Sequence, residues 1–89
     1  MKLGNLFATR RVEDLMFENS RFREDVNTAI NMYMYEDWGV TRSEDAEVND
    51  EALAMGERIL AAYETCKGRI WLITDAYRSS TTILFPSEY

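Results

Sequence analysis

Acidic residues are concentrated in the middle third of this 89-residue sequence. Their carboxylates are dense enough there to suggest binding chemistry. Residues 24–57 contain ten acidic residues and a single base, Arg42. The candidate contact residues in this block are Glu36, Asp37, Trp38, Glu44, Asp45, Glu47, Asp50 and Glu51. A field of carboxylates can occupy a basic groove in place of nucleic-acid phosphates. The block therefore predicts a protein contact, with a merely solvated acidic surface as the alternative.

The same acidic segment matches a calcium-binding loop only in part. If Asp45 is taken as position 1, Glu47 and Asn49 occupy positions 3 and 5. Position 6 is then Asp50 instead of the required glycine, and position 12 is Gly56 instead of the bidentate glutamate. The sequence therefore predicts no metal site here.

Other catalytic chemistries lack the residues they need. The chain has no histidine, which excludes His-based triads and His-ligated zinc. Its one cysteine, Cys66, can form neither an internal disulfide nor a Cys-rich metal site. The net charge of −6 argues against direct nucleic-acid binding, and no run approaches the roughly 18 apolar residues of a membrane span. We expect a cytoplasmic protein without cofactor, membrane segment or enzymatic activity.

Two further clusters are candidate contact sites. Tyr77 and Arg78 lie in the polar segment 75–80, where they could stack on and pair with a partner. The alternative is a turn in which Asp75 and the serines bond to their own backbone. Residues 32–35 read Met-Tyr-Met-Tyr, apolar on more than one face of a helix, which favours either core packing or a homodimer surface.

Helical periodicity covers much of the first half of the chain. The apolar spacing predicts helices over about 10–18 and 21–38, with Thr9 and Ser20 as their N-caps and Gly39 just beyond the second. Residues 40–49 lack such a period and are predicted to be irregular. A short helix over about 50–55 would follow, with Asn49 as its cap and Gly56 as its end.

The last third favours strands. Alternating or β-branched runs predict strands over about 58–65, 69–75 and 81–85, and Trp71 and Ile73 are candidate core residues of the central one. The predicted fold is a single α+β domain in which the N-terminal helices pack on one face of a three-stranded antiparallel meander. A single helix over 50–65 is the open alternative.

The stretches 37–39 (Asp-Trp-Gly), 56–63 (Gly-Glu-Arg-Ile-Leu-Ala-Ala-Tyr) and 78–86 (Arg-Ser-Ser-Thr-Thr-Ile-Leu-Phe-Pro) carry a resemblance. Residues 37–89 are similar to short accessory proteins of plasmids, integrative elements and phages of Gram-positive bacteria. Some of those proteins carry a label tying them to the methylation subunit of type I restriction systems. This chain has one proline and no Gly-rich cofactor loop, so its residues do not support that label. The resemblance implies a mobile-element accessory protein and supplies no catalytic residue.

Two functional expectations follow. The first is an inhibitor of a host defence nuclease, of anti-restriction or anti-CRISPR type, whose acidic segment occupies a basic channel. The second is a small regulatory or adaptor subunit that dimerises through a sheet edge or through the Met/Tyr helix surface.

Overall fold

Four strands and three helices make up the chain, and the computed structural model describes all residues from 1 to 89. In chain order the elements are β1 (Asn5–Ala8), α1 (Arg10–Glu18), α2 (Ser20–Met34), α3 (Ser43–Met55), β2 (Ile59–Thr65), β3 (Gly68–Thr74), β4 (Ser80–Leu84) and a 3-10 turn (Pro86–Glu88). The α+β class predicted from the sequence is confirmed.

The four strands form one mixed sheet in the order β1-β4-β3-β2. β2, β3 and β4 pair antiparallel, with Ala61 opposite Leu72 and Leu72 opposite Ile83. β1 pairs parallel with β4 and places Leu6 opposite Thr81. The predicted three-stranded antiparallel meander is therefore wrong, because an N-terminal strand extends it along the outer edge of β4. The three strands that were predicted coincide with β2, β3 and β4 to within one residue at each end.

The open question over residues 50–65 is decided in favour of a helix followed by a strand. α3 ends at Met55, and Gly56 adopts a left-handed conformation with φ 71° while its N–H bonds the carbonyl of Ala52. A left-handed residue just past the last turn ends a helix. The chain then enters β2 at Ile59.

The second helix is shorter than the predicted 21–38. α2 ends at Met34, and Glu36, at φ 58°, takes the left-handed position that Gly39 was predicted to take. This earlier turn brings Trp38 back into the core, where its ring packs edge-on against Tyr33 at 5.7 Å between centroids. The chain leaves the helix after Met34, and Trp38 is buried in the core instead of extending α2.

The third helix is longer than the predicted 50–55, and residues 43–49 are not irregular. Its apolar positions form no stripe, because Val48 is 59% exposed while the polar Asn49 is buried. Asn49 was predicted as an N-cap. Its side-chain amide instead donates to the Leu60 carbonyl at 2.8 Å and accepts from the Leu60 N–H at 3.3 Å. Periodicity failed here because a polar residue anchors the helix.

The two N-caps predicted for the first half have different outcomes. Thr9 caps α1, since its hydroxyl accepts from the Val12 N–H at 3.3 Å. Ser20 is not the cap of α2. Asn19 takes that role, and its carboxamide accepts from the Phe22 N–H at 2.9 Å, because the chain between the two helices is one residue shorter than predicted.

The core lies between the sheet and the helices α1 and α2. Ile70 and Leu72 of β3 point into it and are fully buried. Trp71 and Ile73, the candidate core residues, are only half-buried, because alternation along the strand places them on the opposite face. We call that opposite face the outer face.

A chain of buried hydroxyls crosses the core. Thr81 donates to the Leu3 carbonyl at 2.7 Å. Each hydroxyl has one proton, so Thr74 must donate to Thr81 at 2.7 Å, and the Tyr33 phenol must donate to Thr74 at 2.6 Å. The chain joins α2, β3 and β4 to the segment before β1 and leaves no hydroxyl in it unpaired.

Candidate functional site

Three of the predicted acidic contact residues form a solvent-exposed line on α3. Glu44, Glu47 and Glu51 are spaced by three and four residues, so they lie on one side of the helix. All three are exposed, and only Glu44 has side-chain partners, Arg42 at 3.0 Å in an exposed ion pair and the Ser43 hydroxyl at 3.2 Å. We call Glu44, Glu47 and Glu51 the acidic stripe.

The other predicted acids do not belong to that line. Glu36 pairs with the N-terminal ammonium at 3.3 Å, and Asp37 accepts from the Gly39 N–H at 3.1 Å. Asp50 accepts from the Trp38 indole at 2.8 Å. Asp45 is exposed and lines a groove beside the first turns of α3. The structure thus divides the seven carboxylates between a stripe, local structural roles and a groove.

Trp38 offers almost no surface to a partner. Its side chain is 7% exposed, and its only N–H donor is committed to Asp50. Trp38 was predicted to be a contact residue, but in the structure it is a core residue. The Trp38–Asp50 bond links the segment after α2 to α3.

The β3–β4 turn matches the alternative predicted for residues 75–80, a turn in which Asp75 and the serines bond to their own backbone. Asp75 accepts from the N–H groups of Ser79 and Ser80 at 2.7 and 3.1 Å and from the Ser79 hydroxyl. The Ser79 hydroxyl bond, followed by those two N–H groups, holds the pKa of Asp75 below its usual range. Tyr77 at the tip of the turn is 91% exposed and remains free for a contact.

Arg78 acts within the fold instead of presenting a free anion-binding fork. Its guanidinium donates to the carbonyls of Glu57 at 2.7 Å, Asp75 at 2.9 Å and Ala52 at 3.2 Å. The Ala52 bond places a cation at the C-terminus of α3, where the helix dipole favours it. Sequence spacing gave no sign of this role, because Ala52 lies 26 residues away.

The Met/Tyr cluster is shared between core and surface. Tyr33 is fully buried, whereas Met34 and Tyr35 are 39% and 75% exposed. Burial raises the pKa of Tyr33 to about 12 and raises that of Tyr63 further still. Both phenols therefore stay protonated in neutral solution and serve as hydrogen-bond donors, Tyr63 to the Asp37 carbonyl at 2.7 Å.

The two edges of the sheet differ. Beyond β2, Asn49 bonds both backbone groups of Leu60. The Ala62 carbonyl accepts from the Val40 N–H at 3.0 Å, and the Ala62 N–H donates to the Thr41 hydroxyl at 2.9 Å. We call residues 39–41 the edge strap. It closes this edge to another strand.

The β1 edge is open. The Asn5 N–H donates to the carbonyl of Ser79, just before β4, at 3.0 Å, and the Thr9 N–H donates to the carbonyl of Ile83 in β4 at 3.1 Å. Alternate residues of a parallel strand bond the same neighbour, so the backbones of Leu6 and Ala8 point away from the sheet. Leu6 and Phe7 are 49% and 54% exposed. Sequence reasoning missed this edge because four residues are too few to show an alternating pattern.

No three cysteine or acidic side chains come together in a way that could hold a metal ion. None of the three helices has the length and apolar character needed to cross a bilayer. Comparison with protein-family models, curated proteins and solved structures finds no match. A function for the chain therefore has to be argued from its own surfaces.

Proposed function

We propose that the protein acts without catalysis, by placing the acidic stripe of α3 against a basic surface of another protein. In its most concrete form it is an inhibitor of a host defence nuclease, of anti-restriction or anti-CRISPR type, that occupies a nucleic-acid channel. The observation that carries the proposal is the alignment of Glu44, Glu47 and Glu51 on one exposed helix face. The resemblance to mobile-element proteins is consistent with such a setting.

The anchoring of α3 supports this proposal. Asn49 and Ala52 are buried on its inner side, and Arg78 and Asp50 tie it to the rest of the chain. A helix held at several points presents its carboxylates in a fixed arrangement, so less ordering is needed when a partner binds. Opposite charges across an interface mainly accelerate association and select the partner.

The proposal predicts that the triple variant Glu44→Lys, Glu47→Lys, Glu51→Lys loses its partner while it keeps its fold. Each exposed carboxylate contributes only about 0.2–1 kcal/mol, so single changes should weaken binding slightly. Reversing all three turns an attractive field into a repulsive one. Tagged protein would be used to capture proteins from a bacterial host, and captured amounts would be compared by quantitative mass spectrometry.

A matched control is Glu13→Lys, Asp14→Lys, Glu18→Lys on α1, which makes the same change in net charge at exposed positions elsewhere. The control should retain the partner. Raising salt from about 0.1 to about 0.5 M shortens the Debye length from about 10 to about 4 Å and should slow association. Equal capture by the stripe variant, or a complex indifferent to salt, would contradict the proposal.

The open β1 edge favours a second candidate, a small adaptor subunit that dimerises by pairing two β1 strands. The unpaired backbone of Leu6 and Ala8 and the exposed Phe7 are the features that favour it. Unpaired edge strands are templates for pairing with another chain. Two such edges would meet about a two-fold axis, since the same patch serves both copies.

This candidate predicts a dimer that Phe7→Lys abolishes, because a lysine on an edge strand opposes strand pairing. Phe17→Lys is the matched control, since Phe17 is 88% exposed on α1 and away from the edge. Sedimentation equilibrium over an about tenfold concentration range would report the mass, which depends on concentration for a reversible dimer. A monomer throughout that range, or equal dissociation of both variants, would rule this candidate out.

A further inference from the structure

A groove of about 420 Å³ lies on the outer face of the sheet, between β2, β3 and the first turns of α3. Leu60, Ala62 and Trp71 form an apolar floor, and Val48 of α3 forms part of one wall. Pockets for small molecules typically have about 300–1,000 Å³ and a mostly apolar lining with a few polar groups. The volume of the groove falls within that range, and five of its eleven lining residues are hydrophobic.

Three arginines line the groove, although the chain as a whole has a net charge of −6. Arg42, Arg58 and Arg69 face a single carboxylate, Asp45, so the lining has an excess of positive charge. Arg58 donates to the hydroxyl of the exposed Tyr89 at 2.7 Å. Arg42 and Arg69 pair with Glu44 and Glu64 at 3.0 and 2.8 Å, but all four side chains are at least half exposed. Exposed ion pairs of this kind are weak, so the guanidiniums can be drawn to a ligand.

The N-terminus of α3 lies at the rim of the groove. Arg42 is the N-cap residue and makes no side-chain bond to the first-turn amides. Arg42 and Asp45 both line the groove, so the start of the helix lies at its rim. Uncapped N–H groups at a helix start favour an anion. Glu44 and Asp45 in the first turn already complement this helix end, so the positive charge beside the apolar floor comes from the arginines.

We propose that this groove binds a small organic anion whose apolar or aromatic body rests on Leu60 and Trp71 and whose carboxylate or phosphate group pairs with the arginine at one end of that floor, Arg58 or Arg69. Guanidinium groups bind both kinds of oxyanion through paired N–H donors. The groove borders the acidic stripe, since Arg42 pairs with Glu44, but Arg58 and Arg69 lie on the β2–β3 side of the groove and are not stripe residues. Its failure would leave the proposed function untouched.

The proposal is tested with 8-anilinonaphthalene-1-sulfonate, a fluorescent aromatic anion. Native protein should enhance its fluorescence with saturation at one site, and the amide signals of Leu60 and Ala62 and the Trp71 indole signal should shift in NMR spectra. Arg58→Gln, Arg69→Gln should weaken binding at least about tenfold, as expected for the loss of charge-assisted bonds. Lys2→Gln, Arg21→Gln, the same charge change at exposed positions outside the groove, should bind as the native protein does.

Competitors identify the anion and test the need for both parts of the ligand. 1-Naphthoate and 1-naphthyl phosphate share one apolar body, so the better competitor shows whether the site prefers a carboxylate or a phosphate. Inorganic phosphate alone and neutral 1-naphthalenemethanol should compete at least about tenfold more weakly. Equal binding by the two double variants, NMR shifts confined to other surfaces, or equal competition by the neutral alcohol would overturn the proposal.

Discussion

Replacing Leu72 by alanine is expected to lower the free energy of unfolding by about 2–5 kcal/mol, the range for truncating a buried leucine. Leu72 is fully buried in β3, an inner strand, where it lies between Ala61 of β2 and Ile83 of β4. Both neighbouring strands hold its surroundings in place, so the cavity has little freedom to collapse. Domains typically have about 5–15 kcal/mol in total, so this single loss would remove a large part of the stability.

Ile73→Ala is the matched control for that variant. Ile73 is the next residue on the same strand and pairs with Thr82, but it lies half-buried on the outer face. Its truncation should cost markedly less than that of Leu72, because less surface is removed from the interior. Urea denaturation followed by circular dichroism would measure both. A larger loss for Ile73 than for Leu72 would mean that the register of β3 is wrong.

Gly39→Ala is expected to lower the free energy of unfolding by about 2–5 kcal/mol, from a backbone cost of about 1–2 and an overpacking cost of about 1–3. Gly39 begins the edge strap at φ 63°, a left-handed conformation that costs other residues energy. A Cβ atom here would lie 2.6 Å from the Ala62 carbonyl oxygen and against the Tyr63 ring. Neither group can move aside easily, since one is strand backbone and the other is buried.

Gly56→Ala separates the two contributions to that loss. Gly56 has a similar φ of 71°, but nothing lies within 4 Å of a Cβ placed on it. Its replacement should therefore cost only the backbone term, about 1–2 kcal/mol. Thermal and urea unfolding of the two variants would give the difference. Equal losses would show that the strap can move away from β2 and does not close that edge rigidly.

Local patterns in the sequence were sufficient to predict the elements that are stabilised by interactions between residues close together in the chain. The spacing of Val12, Leu15 and Met16 and the cap at Thr9 identified α1 with its observed bounds. Alternating and β-branched runs identified β2, β3 and β4 to within one residue. Gly56 marked the end of α3, and Asp75 with its serines marked the β3–β4 turn. In each case the residues that make the interaction are close together in the chain.

The candidate surfaces could be predicted only in part. The charge block between residues 24 and 57 showed that an acidic surface exists, and the structure shows which acids line up on α3. Alternation within β3 places Arg69 and Trp71 on one face and could have indicated half of the groove. Alternation along β2 likewise places Arg58 on the face of Leu60 and Ala62. Arg42 joins them only through the packing of α3 beside β2, which no local pattern reports.

The sequence by itself determined the α+β class, helix α1, the three C-terminal strands and the acidic character of the middle third. Tertiary structure alone decided that residues 5–8 form a strand, because its partner β4 begins at residue 80. It alone decided the length of α3, which depends on Asn49 reaching the backbone of Leu60, and the structural role of Arg78. Each of these features rests on hydrogen bonds to backbone groups distant in the chain, and such groups have no signature in residue type or periodicity.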